Sequence, residues 1–411
     1  MTKKSTWQTP WSYREGWIVV GGMAILGIVW QAFLPSLKLQ IPTWPGNLVL
    51  GLLFITILLA IHFFYKKSAL NKWLSSVPAA VTSAAFYCGL AILMGIIPQH
   101  QQSPSLIIDL TGLNQLTNSW LFVLANVYFL SSLGLATLKR LIPFKLKNTG
   151  YILNHLGLWI ALTASALGSS DLQRLSMNCQ EGQPEWRATN QRGQMVELPI
   201  AIELLNFSID EYPPKLALID NETGKVVTEG KKNQYFSVVE APFKLLSYNV
   251  EVEKLLGEAG LIGNRFERVY EIGSPPAAQL KVTHTKTGET ANGWVSPGSF
   301  RQQPYAFKIS GEHSIVMLPP EPQKYQSAIR ILTQDGQQLE TTLEVNKPFK
   351  LGGWKLYQLS YDTEMGKWST LSVIELVRDP WIPAVYLGIF MLLAGTLFLF
   401  RDGTKKRKEQ L

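Results

Sequence analysis

Cysteine is nearly absent from this chain: two residues in 411, Cys88 and Cys179, with no Cys-x-x-Cys spacing. That excludes any motif built on a cysteine pair. Cys88 lies inside one apolar run and Cys179 just beyond the end of another, so the two cannot meet within a chain. The plain reading is a buried apolar thiol and an incidental thiol outside it. His284 and His313 stand alone, in no HxxxH, HExxH or paired-carboxylate context, and no glycine-rich loop offers a phosphate cradle. Charged residues make up only 17% of the chain against 46% hydrophobic ones. The apolar residues are not evenly spread.

Six runs contain no Asp, Glu, Lys or Arg: Trp17 to Leu34, Asn47 to Tyr65, Val77 to Ile97, Trp120 to Leu138, Tyr151 to Gly168 and Pro380 to Phe400. Each is near the roughly 17 to 25 residues that carry a helix across a bilayer. The first is followed by no small-residue cleavage site and by further spans, so it reads as a span and not as a cleaved signal. Between Ser169 and Asp379 there are 22 Lys and Arg against 26 Asp and Glu, so the net charge of +8 comes from the remaining segments. Their basic residues flank the spans: Lys3, Lys4 and Arg14; Lys66, Lys67 and Lys72; Lys139, Arg140, Lys145 and Lys147; Arg401 and Lys405 to Lys408. The opposite connections hold only Lys38. By the positive-inside rule both termini are cytoplasmic and the large segment after the fifth run is outside. Orientation accounts for the surplus of Lys and Arg, and no basic stripe or aromatic stacking motif marks the exported part, so nucleic acid is not an expected partner.

The exported part follows another pattern. Leu198 to Ile209, Lys215 to Ile219, Phe243 to Val252, Gln279 to His284, Ala306 to Ile309, Ala328 to Thr333, Leu339 to Val345 and Trp354 to Tyr361 are rich in β-branched and aromatic residues. Turn signals at Asp220 to Gly224, Thr287-Gly288 and Asp335-Gly336 separate them. This predicts about ten strands in one or two antiparallel sheets, with a short helix at Leu255 to Leu261 and another near Ser327. Pro-rich stretches at Glu211 to Pro214 and Leu318 to Pro322 read as surface connections. Glu251, Glu253 and Glu258 read as a solvated acidic face.

Chemistry therefore points back to the apolar runs, where an ionisable side chain is a functional candidate because hydrocarbon penalises an unpartnered polar group. His155 sits in such a run and His62 ends another, one turn before Lys66. With that topology both imidazoles occupy the cytoplasmic leaflet. Neutral imidazole suits iron, so the pair, or one of them with a histidine from a partner, could hold a haem axially; a histidine at a helix end also bonds to headgroups or backbone, and both readings stand for His62. Gly157, Ala161 and Ser165 form a small-residue seam that admits a close neighbour. His155 lies about 200° from Gly157 at helical pitch, on a face shared with Leu158, Trp159 and Leu162. Such an apolar, partly aromatic wall suits a porphyrin, and a Trp at that depth is also an ordinary membrane anchor.

His155-Leu-Gly-Leu-Trp-Ile-Ala-Leu-Thr-Ala-Ser-Ala-Leu-Gly168 resembles the helix that precedes the exported domain in the ResB (CcsB) family of system II cytochrome c biogenesis proteins. Gly353-Trp-Lys-Leu-Tyr-Gln-Leu-Ser-Tyr-Asp362, followed by Arg378-Asp-Pro-Trp-Ile-Pro-Ala-Val-Tyr-Leu-Gly388, is similar to that family's closing strand and last helix. The resemblance spans roughly Tyr151 to Phe400 and is strongest at its two edges. It implies a subunit of a cytochrome c haem lyase complex. In that scheme haem b is carried outward and delivered, with a CcsA-like membrane partner, to apocytochrome c. His155 matches the transmembrane histidine that supplies an axial ligand. No WGxWWxWD-like segment occurs, so attachment is expected to be completed by the partner. Family members have three helices before the domain and this sequence has five, so the resemblance assigns no role to His62.

The expected architecture is an α+β membrane protein of the bacterial inner membrane. It comprises five transmembrane helices in 1–168, an exported β-rich domain at 169–379, and a final helix with a basic tail at 380–411. Candidate cofactor-binding residues are His155, His62 and Trp159, with His155 as metal ligand. The alternatives are a fixed b-type haem redox protein, an exported-ligand sensor or scaffold, and haem thioether attachment or thiol exchange through Cys179.

Overall fold

Where a run lacks charge for long enough, no backbone group can be left to lipid, and the chain closes its hydrogen bonds within helices. The computed structural model describes residues 7, 9–33, 41–99, 105–229, 232–233 and 235–408. Leu34 and the flanking Lys3, Lys4 and Lys38 lie outside the described residues. The helices are α1 (Tyr13–Phe33), α2 (Gly46–Phe64), α3 (Ala69–Leu74), α4 (Val77–Ile96), α5 (Leu106–Thr111), α6 (Trp120–Leu141), α7 (Thr149–Gly168) and α8 (Ile382–Lys408). Six of them are long and apolar enough to cross a membrane, as expected. The chain divides into two units, Met1–Leu172 with Asp379–Leu411, and Gln173–Arg378.

In the helical unit, sparse polar side chains tie neighbours together. The hydroxyls of Thr82 in α4 and Tyr128 in α6 share a buried hydrogen bond of 2.9 Å, and Ser132 of α6 donates to the Leu74 carbonyl at the end of α3. The pair α7 and α8 is held differently, with backbone against backbone. A Cβ at Gly388 would lie 2.5 Å from the Ala161 amide nitrogen and 2.6 Å from the Gly157 carbonyl oxygen. One at Gly157 would lie 2.5 Å from the Leu392 nitrogen, and Gly168 sits equally close under Trp381. Midway, Asn154 donates to Thr396 Oγ1 at 2.8 Å, the kind of interhelical polar bond that adds to small-residue packing in apolar surroundings. The seam thus runs Gly150, Asn154, Gly157, Ala161, Gly168. Ser165, expected in it, is exposed. Steps of four residues drift by about 40° each at helical pitch, whereas alternating fours and threes keep facing one neighbour.

The second unit is antiparallel throughout its sheets, as the strand pattern implied. Its largest sheet has eight strands, in the order Gln338–Glu344, Pro322–Thr333, Met195–Glu211, Pro184–Asn190, Gln173–Gln180, Leu371–Arg378, Trp354–Tyr361 and Phe349–Leu351. The first strand of the unit pairs with its last from Gln173 opposite Arg378 to Gln180 opposite Leu371. Leu343 and Leu356, from strands far apart in that order, share one core with Met177, Ile202 and Ile374, so the sheet is rolled on itself. Two four-stranded sheets enclose a second core of Leu216, Leu218, Leu280, Val282, Val295 and Ile315.

Several details differ from the sequence reading. Twenty strand segments are described where about ten were expected. Leu255 to Leu261 is no helix: it holds the end of Tyr248–Leu256 and the start of Ala259–Ile262, because Leu256 and Ala259, either side of the bend between them, both bury against Phe266 and Ala277. Ser327 lies in a strand, fully buried, donating to Ser372 at 2.7 Å. Phe243 to Val252 is a hairpin that reverses at Leu246, φ 51°. Trp354–Tyr361 is not the closing strand, since Leu371–Arg378 follows and pairs with it. The three expected turns hold, with Gly224, Gly288 and Gly336 at positive φ.

Gly388→Leu should lower the apparent stability of the detergent-solubilised protein by at least the about 1–3 kcal/mol typical of overpacking. Gly89→Ala, where a Cβ meets nothing within 4 Å, should stay within about 0.5 kcal/mol. Equal shifts in the thermal midpoints of the two variants would refute close packing of α7 and α8.

Candidate functional site

With its small face against α8, α7 offers the opposite face to α6 and α2. Tyr151, His155 and Trp159, spaced four apart, share it. His155 is half-buried, and its Nδ1 lies 3.0 Å from the Tyr151 carbonyl oxygen one turn earlier. A carbonyl only accepts, so Nδ1 carries a proton, and in the neutral imidazole Nε2 is then left with its lone pair. In that tautomer an imidazole can ligate a metal through Nε2, and the backbone carbonyl orients the ring. The imidazole stacks on the Tyr151 ring, centroids 3.7 Å apart and planes 20° from parallel. Arg140, near the end of α6, lies over the same tyrosine at 3.8 Å.

Trp159 is already engaged. Its indole N–H donates to the Leu130 carbonyl of α6 at 3.0 Å, and its ring stacks on Phe54 of α2 at 6.2 Å. It positions the three helices around His155.

His62 is buried, with its ring edge toward Phe63 at 5.2 Å. Its depth follows from Gly134 of α6, where a Cβ would lie 2.8 Å from Leu58 Cδ1 and 3.0 Å from Trp159 Nε1. Leu58 of α2 and Trp159 of α7 therefore meet over that glycine. His62 is four residues after Leu58, and His155 is four before Trp159. The helices run in opposite directions, since Asn47 at the start of α2 bonds Leu167 at the end of α7. Both imidazoles thus lie about 6 Å, one turn, from that level on the same side. No ring contact joins them among the described residues: each stacks or abuts an aromatic of its own helix.

Of the two thiols, Cys88 is not buried as expected. Cys88 is exposed on α4, and Cys179 is fully buried. Burial, with Glu185 adding to it, pushes the Cys179 thiol up to about 12, so it is neither a thiolate nor accessible for thioether formation or exchange. His284 and His313 flank one residue: their rings lie 5.2 Å and 6.4 Å from Tyr248. Among the described residues no three His, Cys, Asp or Glu gather into a metal site.

Sequence reasoning missed Asp171. Just beyond α7, its carboxylate accepts from the Trp44 amide at 2.8 Å, Asn47 Nδ2 at 2.7 Å and Trp381 Nε1 at 2.7 Å. One carboxylate thereby fastens the start of α2, the end of α7 and the start of α8. The Arg-Asp-Pro-Trp motif was visible in the sequence, but the partner of its tryptophan, 210 residues away, was not.

Residues 277–373 match the model of the ResB-like family, a family associated with cytochrome c biogenesis. The resemblance read from the sequence is borne out by that match, although it lies within the β-rich unit and excludes the helices bearing His62 and His155. No curated protein matches the chain.

Burial alone would raise the Asp171 pKa, but the bonds from Trp44, Asn47 and Trp381 outweigh it and hold the carboxyl below the ordinary Asp value. A depressed folded value means that the stabilisation is complete above the ordinary Asp pKa, roughly 4, and is lost as pH falls through the folded value. Asp171→Asn should have a lower thermal midpoint at neutral pH and lose less of it on acidification. Unchanged acid sensitivity would remove Asp171 from this role.

Proposed function

We propose that the chain is a membrane subunit of the cytochrome c maturation machinery. In this reading it receives haem b as cargo on the Tyr151, His155 and Trp159 face of α7, and passes it with a CcsA-like partner to apocytochrome c outside. The observation that carries this is the bond from His155 Nδ1–H to the Tyr151 carbonyl. It leaves Nε2 as a neutral donor inside a mostly apolar helix. The donor set fits haem better than zinc or a hard cation, because one imidazole among aromatic and aliphatic side chains suits axial ligation of a porphyrin iron and little else.

In this scheme His155 holds the cargo's iron, and the Tyr151 carbonyl holds the imidazole. Trp159 keeps α2, α6 and α7 spaced around it. His62, at similar depth but without contact to His155, is available as a further ligand; otherwise the partner supplies one. The β-rich unit lies on the outer side of the inner membrane, where it engages the partner or the apocytochrome.

Haemin added to the purified full-length protein in detergent should give a histidine-ligated spectrum that His155→Ala abolishes and added imidazole restores. Cells carrying His155→Ala should lose holocytochrome c. A variant that binds haemin and matures cytochrome c as the parent does would sink the assignment. Loss in His62→Ala alone would move the site to α2. For orientation, Lys225→Cys should react with a membrane-impermeant maleimide in intact spheroplasts and Lys145→Cys only after lysis; the opposite labelling would invert the topology.

A further inference from the structure

Arg140 has a placement that ligation by His155 does not use. Its guanidinium and the His155 imidazole lie 3.8 Å and 3.7 Å from the same Tyr151 ring. A ring offers two faces, and at those distances each neighbour fills one, so Arg140, Tyr151 and His155 form a three-layer stack. The loop between α6 and α7 closes beside it, with Asn148 Nδ2 donating to the Arg140 carbonyl at 3.3 Å. Among the described residues no carboxylate pairs with the Arg140 guanidinium. The segment from Lys139 to Lys147 contains four cations and no acid. The stack therefore fixes a charged fork in place while leaving its N–H donors unspent, since a cation over a ring is held through its flat face.

We propose that Arg140 is the anion-binding residue of the His155 site and takes the carboxylates of the haem cargo. The inference rests on the function proposed above. A haem molecule is an apolar macrocycle with carboxylates along one edge. Charge is costly in hydrocarbon, so that edge must face the basic end of the helices while the ring lies along the apolar face. Arg140 stands at that end of the His155 face and matches a carboxylate with two parallel hydrogen bonds. A lipid phosphate offers the same oxygen chemistry, but the tyrosine that orients Arg140 is also the residue on which the ligand imidazole lies. That shared ring ties the cation to the ligand site.

The test compares haemin with its dimethyl ester, which keeps the iron and removes the charges, on the full chain in detergent. Arg140→Ala should weaken haemin binding roughly tenfold, the scale of a lost charged hydrogen-bond pair, while ester affinity and the histidine-ligated spectrum stay as in the parent. Arg140→Lys should recover part of the loss. Equal weakening of both porphyrins, or of neither, overturns the proposal. So does a defect confined to binding of phosphatidylglycerol vesicles. His155→Ala should abolish the ligated spectrum with both porphyrins. If it changes neither, the haem reading itself fails independently of Arg140.

Discussion

No side chain separates α7 from α8 where Gly157 and Ala161 meet Gly388, and the distances that an added Cβ would face there leave room for nothing larger. This approach of two backbones determines how α7 is turned. One side of the helix is consumed from Gly150 to Gly168, so Tyr151, His155 and Trp159 share the side turned to α6 and α2. The Asn154 to Thr396 bond fixes the register of the pair. Asp171 closes the Gly168 end of the pair by accepting from Trp381 at the start of α8 and from Asn47 at the start of α2. The orientation of the candidate ligand is thus a consequence of glycine and not of the histidine itself.

Given that orientation, the chemistry of His155 is set within one helical turn. The Tyr151 carbonyl takes the Nδ1 proton, and the Tyr151 ring supports one face of the imidazole. A histidine held in this way has its second nitrogen bare without help from a carboxylate, which an apolar helix would have difficulty housing. The buried thiol of Cys179 and the separate pair His284 and His313 offer no comparable donor. The β-rich unit contributes two apolar cores and the stretch matched by the ResB-like family model.

The helices were legible because absence of charge over some twenty residues has one main physical outcome in a membrane protein. His155 was legible as an isolated ionisable group. Alternating strands such as Pro322–Thr333 and Gln338–Glu344 announced themselves. Others did not: Gln173–Gln180 reads as polar because only Leu175, Met177 and Cys179 point inward. Leu255 to Leu261 is short enough to suit either period, and tertiary packing on Phe266 decided it. The seam was misplaced at Ser165 by extending a four-residue step beyond where helical pitch keeps it in line. Asp171, Arg140 and the commitment of Trp159 to Leu130 depend on contacts between distant segments, which no local pattern encodes.

Nitrogen-15 NMR of protein labelled at histidine tests the central claim most directly, with the His155 signals identified by their loss in His155→Ala. The haem-free protein at neutral pH should show a protonated Nδ1 and a bare Nε2 at His155. A proton on Nε2, with Nδ1 bare, would contradict the claim.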